Sequence, residues 1–234
     1  MADGFDLDYR LGLPRLAALS RIVGTDLAGN ATISGNLTGP RDSPILAGVV
    51  SGDGLGVAGL AIPSAEGKFS ARDLGAHPQG ELALDLVAGA QRLSFSTSYQ
   101  RRDDGAVALS GLKLTAPKTA LAGNLSIQPN GLLDGRIRGE AGDLARIGAL
   151  IDRSVAGAAT LDLSFAASDE KQTIDGAIDA RGPSLTVAGS APLSAQRLTL
   201  KARIADAFGS PGGTAELRVT GAAASALAVT QLDL

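Results

Sequence analysis

The chain has 234 residues, with 21 basic and 24 acidic side chains, a formal net charge of −3, one histidine and no cysteine. That length can bury a sizeable core in one domain or two, and the lack of cysteine excludes disulfide staples and thiolate metal sites. The slight acidity excludes a nucleic-acid surface, because no basic patch could neutralise many phosphates; even Arg101-Arg102 is followed at once by Asp103-Asp104.

The opening stretch MADGFDLDYR lacks the layout of a signal peptide, and no apolar run is long enough for a membrane span. The chain begins and ends among strand-like patterns, as expected of a piece of something longer. Residues 14–23 then place Leu16, Leu19, Ile22 and Val23 on one stripe, which predicts a short amphipathic helix of about three turns with Pro14 in its first turn. Strict alternation follows. ELALDLV lines up Leu82, Leu84 and Leu86, and RLSFSTSY lines up Leu93, Phe95, Thr97 and Tyr99. Residues 101–135 continue with AVALSGLKLTA and TALAGNLSI. A second helix is expected over 142–152, with Leu144, Ile147, Leu150 and Ile151 on its stripe and Asp143 as its cap.

Beyond it, TLDLSF sets Leu161, Leu163 and Phe165 opposite Thr160, Asp162 and Ser164. RLTLKARI does the same with Leu198, Leu200, Ala202 and Ile204, and AELRVT with Ala215, Leu217 and Val219. Period-two patterning predicts antiparallel sheets with one apolar and one wet face. The turn formers SGDG (51–54), AHPQG (76–80), RRDDG (101–105), QPNG (128–131), ARGPS (180–184) and GSPGG (209–213) are read as the turns of a meander.

The helix-to-strand corner occurs twice. Residues 15–35 and 143–163 align without a gap at a spacing of 128 residues. Leu16/Leu144, Ala17/Ala145, Ala28/Ala156, Gly29/Gly157, Ala31/Ala159 and Thr32/Thr160 are identical, where this composition would give about two identities by chance. The echo continues with small slips: 47–59 answers 175–189, and 67–74 answers 195–204. No Ser/Gly linker or charge block separates the copies. The expectation is one elongated repeat domain, with a first unit at about 10–100, bridging strands at 101–135 and a second unit at about 136–234.

Motifs for chemistry are weak. Gly54-Leu55-Gly56-Val57-Ala58-Gly59 fits G-x-G-x-x-G, and Asp73 stands roughly where a ribose-binding acid would. Pro63 forbids the helix that a dinucleotide site needs after the loop. His77, the single histidine, reads as an exposed loop residue, so a Ser-His-Asp triad or a histidine metal site has little to build on. Asp103, Asp104 and Asp206 read as solvated turn carboxylates rather than acid/base pairs or calcium ligands. Asn30, Asn36 and Asn124 open N-x-Ser/Thr triplets that arise easily in polar turns. The inventory points away from an enzyme, and no metal or cofactor is expected.

The succession GLLDGRIRGEAGDLARIGALI, VAGAATLDLSFAA, QTIDGAIDARG, LTVAGSAPLSAQRLTLKARI and GTAELRVTG resembles the TamB-like translocation and assembly module subunits of the AsmA-like envelope family. The resemblance rests on rhythm, a helix followed by strands in fixed order. It implies an all-β fold: an elongated, curved, antiparallel-rich trough of repeated units with two short amphipathic helices. It further implies a parent protein anchored in the inner membrane of a Gram-negative bacterium, spanning the periplasm toward a TamA-like outer-membrane barrel. The family's N-terminal anchor and docking segment have no counterpart here.

The function implied is shelter for phospholipid acyl chains moving between membranes. Leu82, Leu84, Leu86, Phe95, Leu161, Leu163, Phe165, Leu198, Leu200, Ile204, Leu217 and Val219 would line the groove. The alternatives are a scaffold that assists assembly or secretion of outer-membrane and autotransporter proteins by β-augmentation, and a passive structural solenoid. Patterning alone favours a packed core over a groove, since both want apolar residues at the same positions; the resemblance reverses that preference.

Overall fold

The computed structural model describes residues 4–20, 26–57, 60–75, 77–150, 153–186, 192–224 and 227–233. The chain is all-β and antiparallel, and divides into two compact units, Met1–Pro117 and Lys118–Leu234. The division falls inside the span read above as bridging strands. The first unit runs β1 (Gly4–Leu13), a 3-10 turn (Leu16–Leu19), β2 (Leu27–Pro40), β3 (Ile45–Val57), β4 (Leu60–Arg72), β5 (Gln79–Ala88), β6 (Gln91–Arg101) and β7 (Val107–Ala116). Each strand pairs antiparallel with the next.

The second unit runs β8 (Thr119–Ile127), β9 (Leu133–Ala141), helix α1 (Leu144–Leu150), β10 (Ser154–Ser168), β11 (Lys171–Thr186), β12 (Leu193–Ser194), β13 (Arg197–Ala205), β14 (Gly212–Ala224) and β15 (Leu227–Asp233). Here β12 and β13 together fill one lane between β11 and β14. Meander order follows from two-residue hairpins such as Asp169-Glu170, whose φ values of 51° and 61° give the turn that matches strand twist.

The repeat extends further than the sequence match. Pairing is identical at the 128-residue spacing from β1/β9 through β3/β11: Leu13 faces Ala31 as Ala141 faces Ala159, and Thr32 faces Ser51 as Thr160 faces Asp179. Both copies break register at the same place, between Ala28 and Asn30 and between Ala156 and Ala158. The break is a β-bulge built on Gly29 (φ 92°) and Gly157 (φ 107°), each facing a second left-handed glycine, Gly54 (φ 58°) or Gly182 (φ 54°).

SGDG and ARGPS are therefore not turns. Both lie inside long strands, where their glycines accommodate the bulge. The proposed match of 67–74 to 195–204 is also out of step. Gly67 faces Val50 as Leu200 faces Ile178, so the spacing widens to 133 residues, the extra five falling between β11 and β12.

The two predicted helices begin differently. Asp143 caps α1, its Oδ1 accepting the Ala145 N–H at 3.2 Å, and Arg146 Nε lies 3.4 Å from its other oxygen. The equivalent residue in the first unit is Arg15, an N-cap with no side-chain hydrogen bond; the described residues there form a 3-10 turn over Leu16–Leu19 that passes into helical backbone at Ser20, with Pro14 ahead of the cap rather than in the first turn. Residues 21–25 and 151–152, including Ile22, Val23 and Ile151, lie outside the described residues.

Among the described residues the buried apolar side chains are Ile62, Ala71, Ala88, Ala106, Leu132, Ala141 and Ala180, mostly alanines. The accessible surface is 14670 Å², against roughly 12000 Å² for two compact globules sharing this mass. A polar pin supplements this sparse core. Gln172, fully buried, accepts the Leu133 N–H at 2.7 Å, while its Nε2 reaches the carbonyls of Leu133, Thr173 and Ala166 at 3.0, 3.0 and 3.2 Å, tying β9, β10 and β11 together.

The bulge generates a test. A Cβ on Gly157 would sit 2.6 Å from the Gly182 carbonyl oxygen and 2.8 Å from that of Arg181, whereas one on Gly182 would meet nothing within 4 Å. Gly157→Ala should cost about 2 kcal/mol or more, and Gly182→Ala only about 1 kcal/mol for its left-handed backbone. Urea midpoints would check the order; equal losses would contradict it.

Candidate functional site

Strand register sorts every side chain onto one of two faces. In the first unit one face carries Leu11, Ile33, Val50, Gly67, Leu84 and Phe95 as a row across six strands. Beside it run Tyr9, Gly35, Gly48, Phe69, Leu82 and Thr97, then Leu13, Ala31, Gly52, Ala65, Leu86 and Leu93. The second unit repeats the design. Its rows are Leu121, Gly139, Leu161, Ile178, Leu200 and Leu217; Gly123, Ile137, Leu163, Gly176, Ala202 and Ala215; and Ala141, Ala159, Ala180, Leu198 and Val219. Phe165, Ile174 and Ile204 form a fourth row.

All twelve expected lining residues thus fall on these faces, four in the first unit and eight in the second. Eleven are half-buried, and Ile204 is exposed. Tyr9, Ile33, Phe69, Leu121, Ile137 and Ile178 share the faces too. Their strands are interrupted by glycine, which hides the alternation until register is known.

Those glycines are contacts. Leu121 Cδ2 occupies the place a Cβ on Gly139 would take, as Leu84 does over Gly67, and Leu163 Cδ2 lies 3.0 Å from the corresponding point on Gly176. Tyr9 covers Gly35 and Gly48 and donates its hydroxyl to the Ala47 carbonyl at 3.2 Å; Tyr99 covers Gly80 and donates to Ser70 at 3.2 Å. Large side chains lie sideways over the neighbouring strand's glycines, so each face packs against itself.

The opposite face is charged. In the second unit Asp162 is gripped by Arg136, whose Nε donates to Oδ1 at 2.6 Å while Nη2 bonds Oδ2, and Arg138 Nε lies 3.2 Å from that oxygen. Asp179 takes a similar two-point bond from Arg197. The Arg136 hydrogen bonds hold the Asp162 carboxyl below its ordinary value, and Arg197 does the same to Asp179.

At the helix end of the second unit, Leu144 of α1 and the sheet line an open cleft of about 510 Å³. Its apolar walls include Leu144, Val155, Leu185, Leu193, Leu198 and Val219, and among the described residues no lining residue is charged. Register places Leu55 and Ile62 of the first unit where the second has Pro183 and Ala195, both on this lining. Ile62 is buried in its copy.

The other motif residues stay apart. Gly54 and Gly56 lie within β3, and β4 rather than a helix follows; Ala58 and Gly59 are outside the described residues. Asp73 accepts from Gln79 Nε2 at 2.6 Å in a turn. His77 is exposed and pairs with Asp103, Asp104 accepts the Ala106 N–H at 2.9 Å, and Asp206 closes a turn with Gly209. Among the described residues no group of three or more His, Cys, Asp or Glu could hold a metal ion, and no helix is long and apolar enough to cross a membrane. No protein-family model, curated protein or solved structure matches the chain.

The charged face makes stability depend on pH in a defined direction. Carboxyls whose folded values are lowered add stability that is present above about pH 4 and is lost as pH falls through the lowered values. The urea midpoint should therefore drop on acidification, and Asp162→Asn and Asp179→Asn should each flatten that drop. Midpoint curves parallel to the parent's would contradict the assignment.

Proposed function

We propose that the chain is a segment of a TamB-like, periplasm-spanning envelope protein whose apolar sheet faces shelter phospholipid acyl chains moving between membranes, with a TamA-like outer-membrane barrel as the parent's partner. The observation that carries this reading is that the apolar rows share one face of each unit's antiparallel strands and are half-buried rather than buried, with Leu11 and Ile204 exposed. An alternating sheet used as an ordinary core would bury those side chains against a facing layer.

The chemistry asked of the face is modest. Each methylene withdrawn from water contributes about 0.8 kcal/mol when fully buried, and a chain lying on an open face stays partly wet. Binding is therefore weak per methylene and non-directional, which suits a path along which a lipid slides. Few aromatics and many leucines, valines and alanines keep the face smooth and aliphatic. The arginine–aspartate ladder on the other side faces water.

Photo-crosslinking in cells tests this. A photoreactive residue at Leu163 should yield phospholipid adducts, and one at Ser164, whose cross-strand partners are Arg136 and Asp175, should yield none. If Leu163 links only to its own chain, the face is a closed core and the proposal fails.

A further inference from the structure

The cleft at the helix end of the second unit arises from differences between the two copies. Pro183 and Ala195 stand on its lining in place of Leu55 and Ile62, and Ile62 is only 8% exposed in its own copy. One strand is also longer. Val219 pairs with Leu198 as Leu86 pairs with Ala65, yet β5 ends at Ala88, two residues past Leu86, whereas β14 runs to Ala224, five past Val219. Ala222 and Ala223, on that added length, line the cleft. The second copy has thus lost side-chain bulk and gained wall at one place.

The walls define what fits. A volume of about 510 Å³ falls within the range of small-ligand sites, roughly 300–1000 Å³. Among the described residues the lining has no aromatic and no charged side chain, and Ser184 and Ser194 are its only polar ones. A headgroup phosphate or a peptide backbone would leave polar groups unpaired there, whereas a hydrocarbon end needs no partner. Leu198 and Val219 belong both to these walls and to the apolar row that carries Ala141, Ala159 and Ala180. A chain lying on that row therefore enters the cleft over apolar side chains alone.

We propose that the cleft seats the methyl end of one phospholipid acyl chain, whose remainder lies along the row of Leu198 and Val219 with the headgroup outside. This rests on the reading of the apolar face as a lipid shelter. It adds a holding place that the second unit has and the first, filled by Leu55 and Ile62, lacks.

Cleft-filling variants of the full chain test it, with circular dichroism to confirm folding. The first probe is a phosphatidylcholine carrying a fluorescent parinaroyl chain, supplied in vesicles and measured on the protein after gel filtration; free cis-parinaric acid is the second. The parent should bind both. Ala195→Ile and Pro183→Leu, which put the first copy's residues into the cleft, should each weaken binding of both probes by about tenfold or more. Ala202→Leu, on a different row, should leave binding unchanged. Leu193 is 51% exposed, so Leu193→Cys can carry a fluorophore at the cleft. A stearate with its nitroxide near the methyl end should quench that fluorophore more strongly than one with the nitroxide near the carboxylate. Filled variants that bind like the parent, a parent that takes up no parinaroyl phosphatidylcholine, or stronger quenching from the carboxylate end would each overturn the proposal. Such a failure alongside lipid adducts at Leu163 removes the seat alone, whereas absence of adducts at Leu163 removes the shelter.

Discussion

An antiparallel sheet with one apolar face must limit that face's contact with water, and in both units here large side chains do so sideways. Leu121 lies over Gly139, Leu84 over Gly67, Leu163 beside Gly176, and Tyr9 over Gly35 and Gly48. Glycine in a strand interior ordinarily weakens it. Here each supplies the space that a neighbouring large side chain fills, which adds dispersion contact across strands. Most of the row side chains are left half-buried, with Leu11 and Ile204 exposed.

The rest of the structure follows from keeping that face in register. A one-residue slip would turn the whole apolar set to the wet side. Several devices oppose a slip: bulges on Gly29 and Gly157 recur at one position in both copies, and Gln172 pins three strands at one end of the second unit. Arg136 and Arg197 bind carboxylates across the charged face. The copies differ where register is not at stake. Asp143 caps its helix through a hydrogen bond while Arg15 makes none, and Pro183 and Ala195 line an open cleft where the first copy has Leu55 and Ile62.

Alternation made the strands legible. ELALDLV, RLSFSTSY, TLDLSF and RLTLKARI all form strands with their leucines on the expected face, because period two has one structural meaning once an apolar face exists. Glycine was harder to read, since it serves three purposes in this chain. In QPNG it closes a turn, where Gly131 N–H bonds the Gln128 carbonyl at 2.8 Å; in SGDG and ARGPS it forms a bulge; at Gly67 and Gly139 it is a packing partner. Composition cannot separate those uses, and only pairing does. The same limit applies to the face itself, since a core and a groove call for identical residues and differ only in what lies above them.

Because the chain has no cysteine, openness of the face can be measured directly with single Leu163→Cys and Ser164→Cys variants and a small water-soluble thiol reagent. On an open face the thiol of Leu163→Cys should react in the native state within about tenfold of the thiol of Ser164→Cys, and urea below the unfolding transition should change neither rate much. A Leu163→Cys thiol that reacts many orders of magnitude more slowly, and only in proportion to global unfolding, would show a closed core and contradict the account.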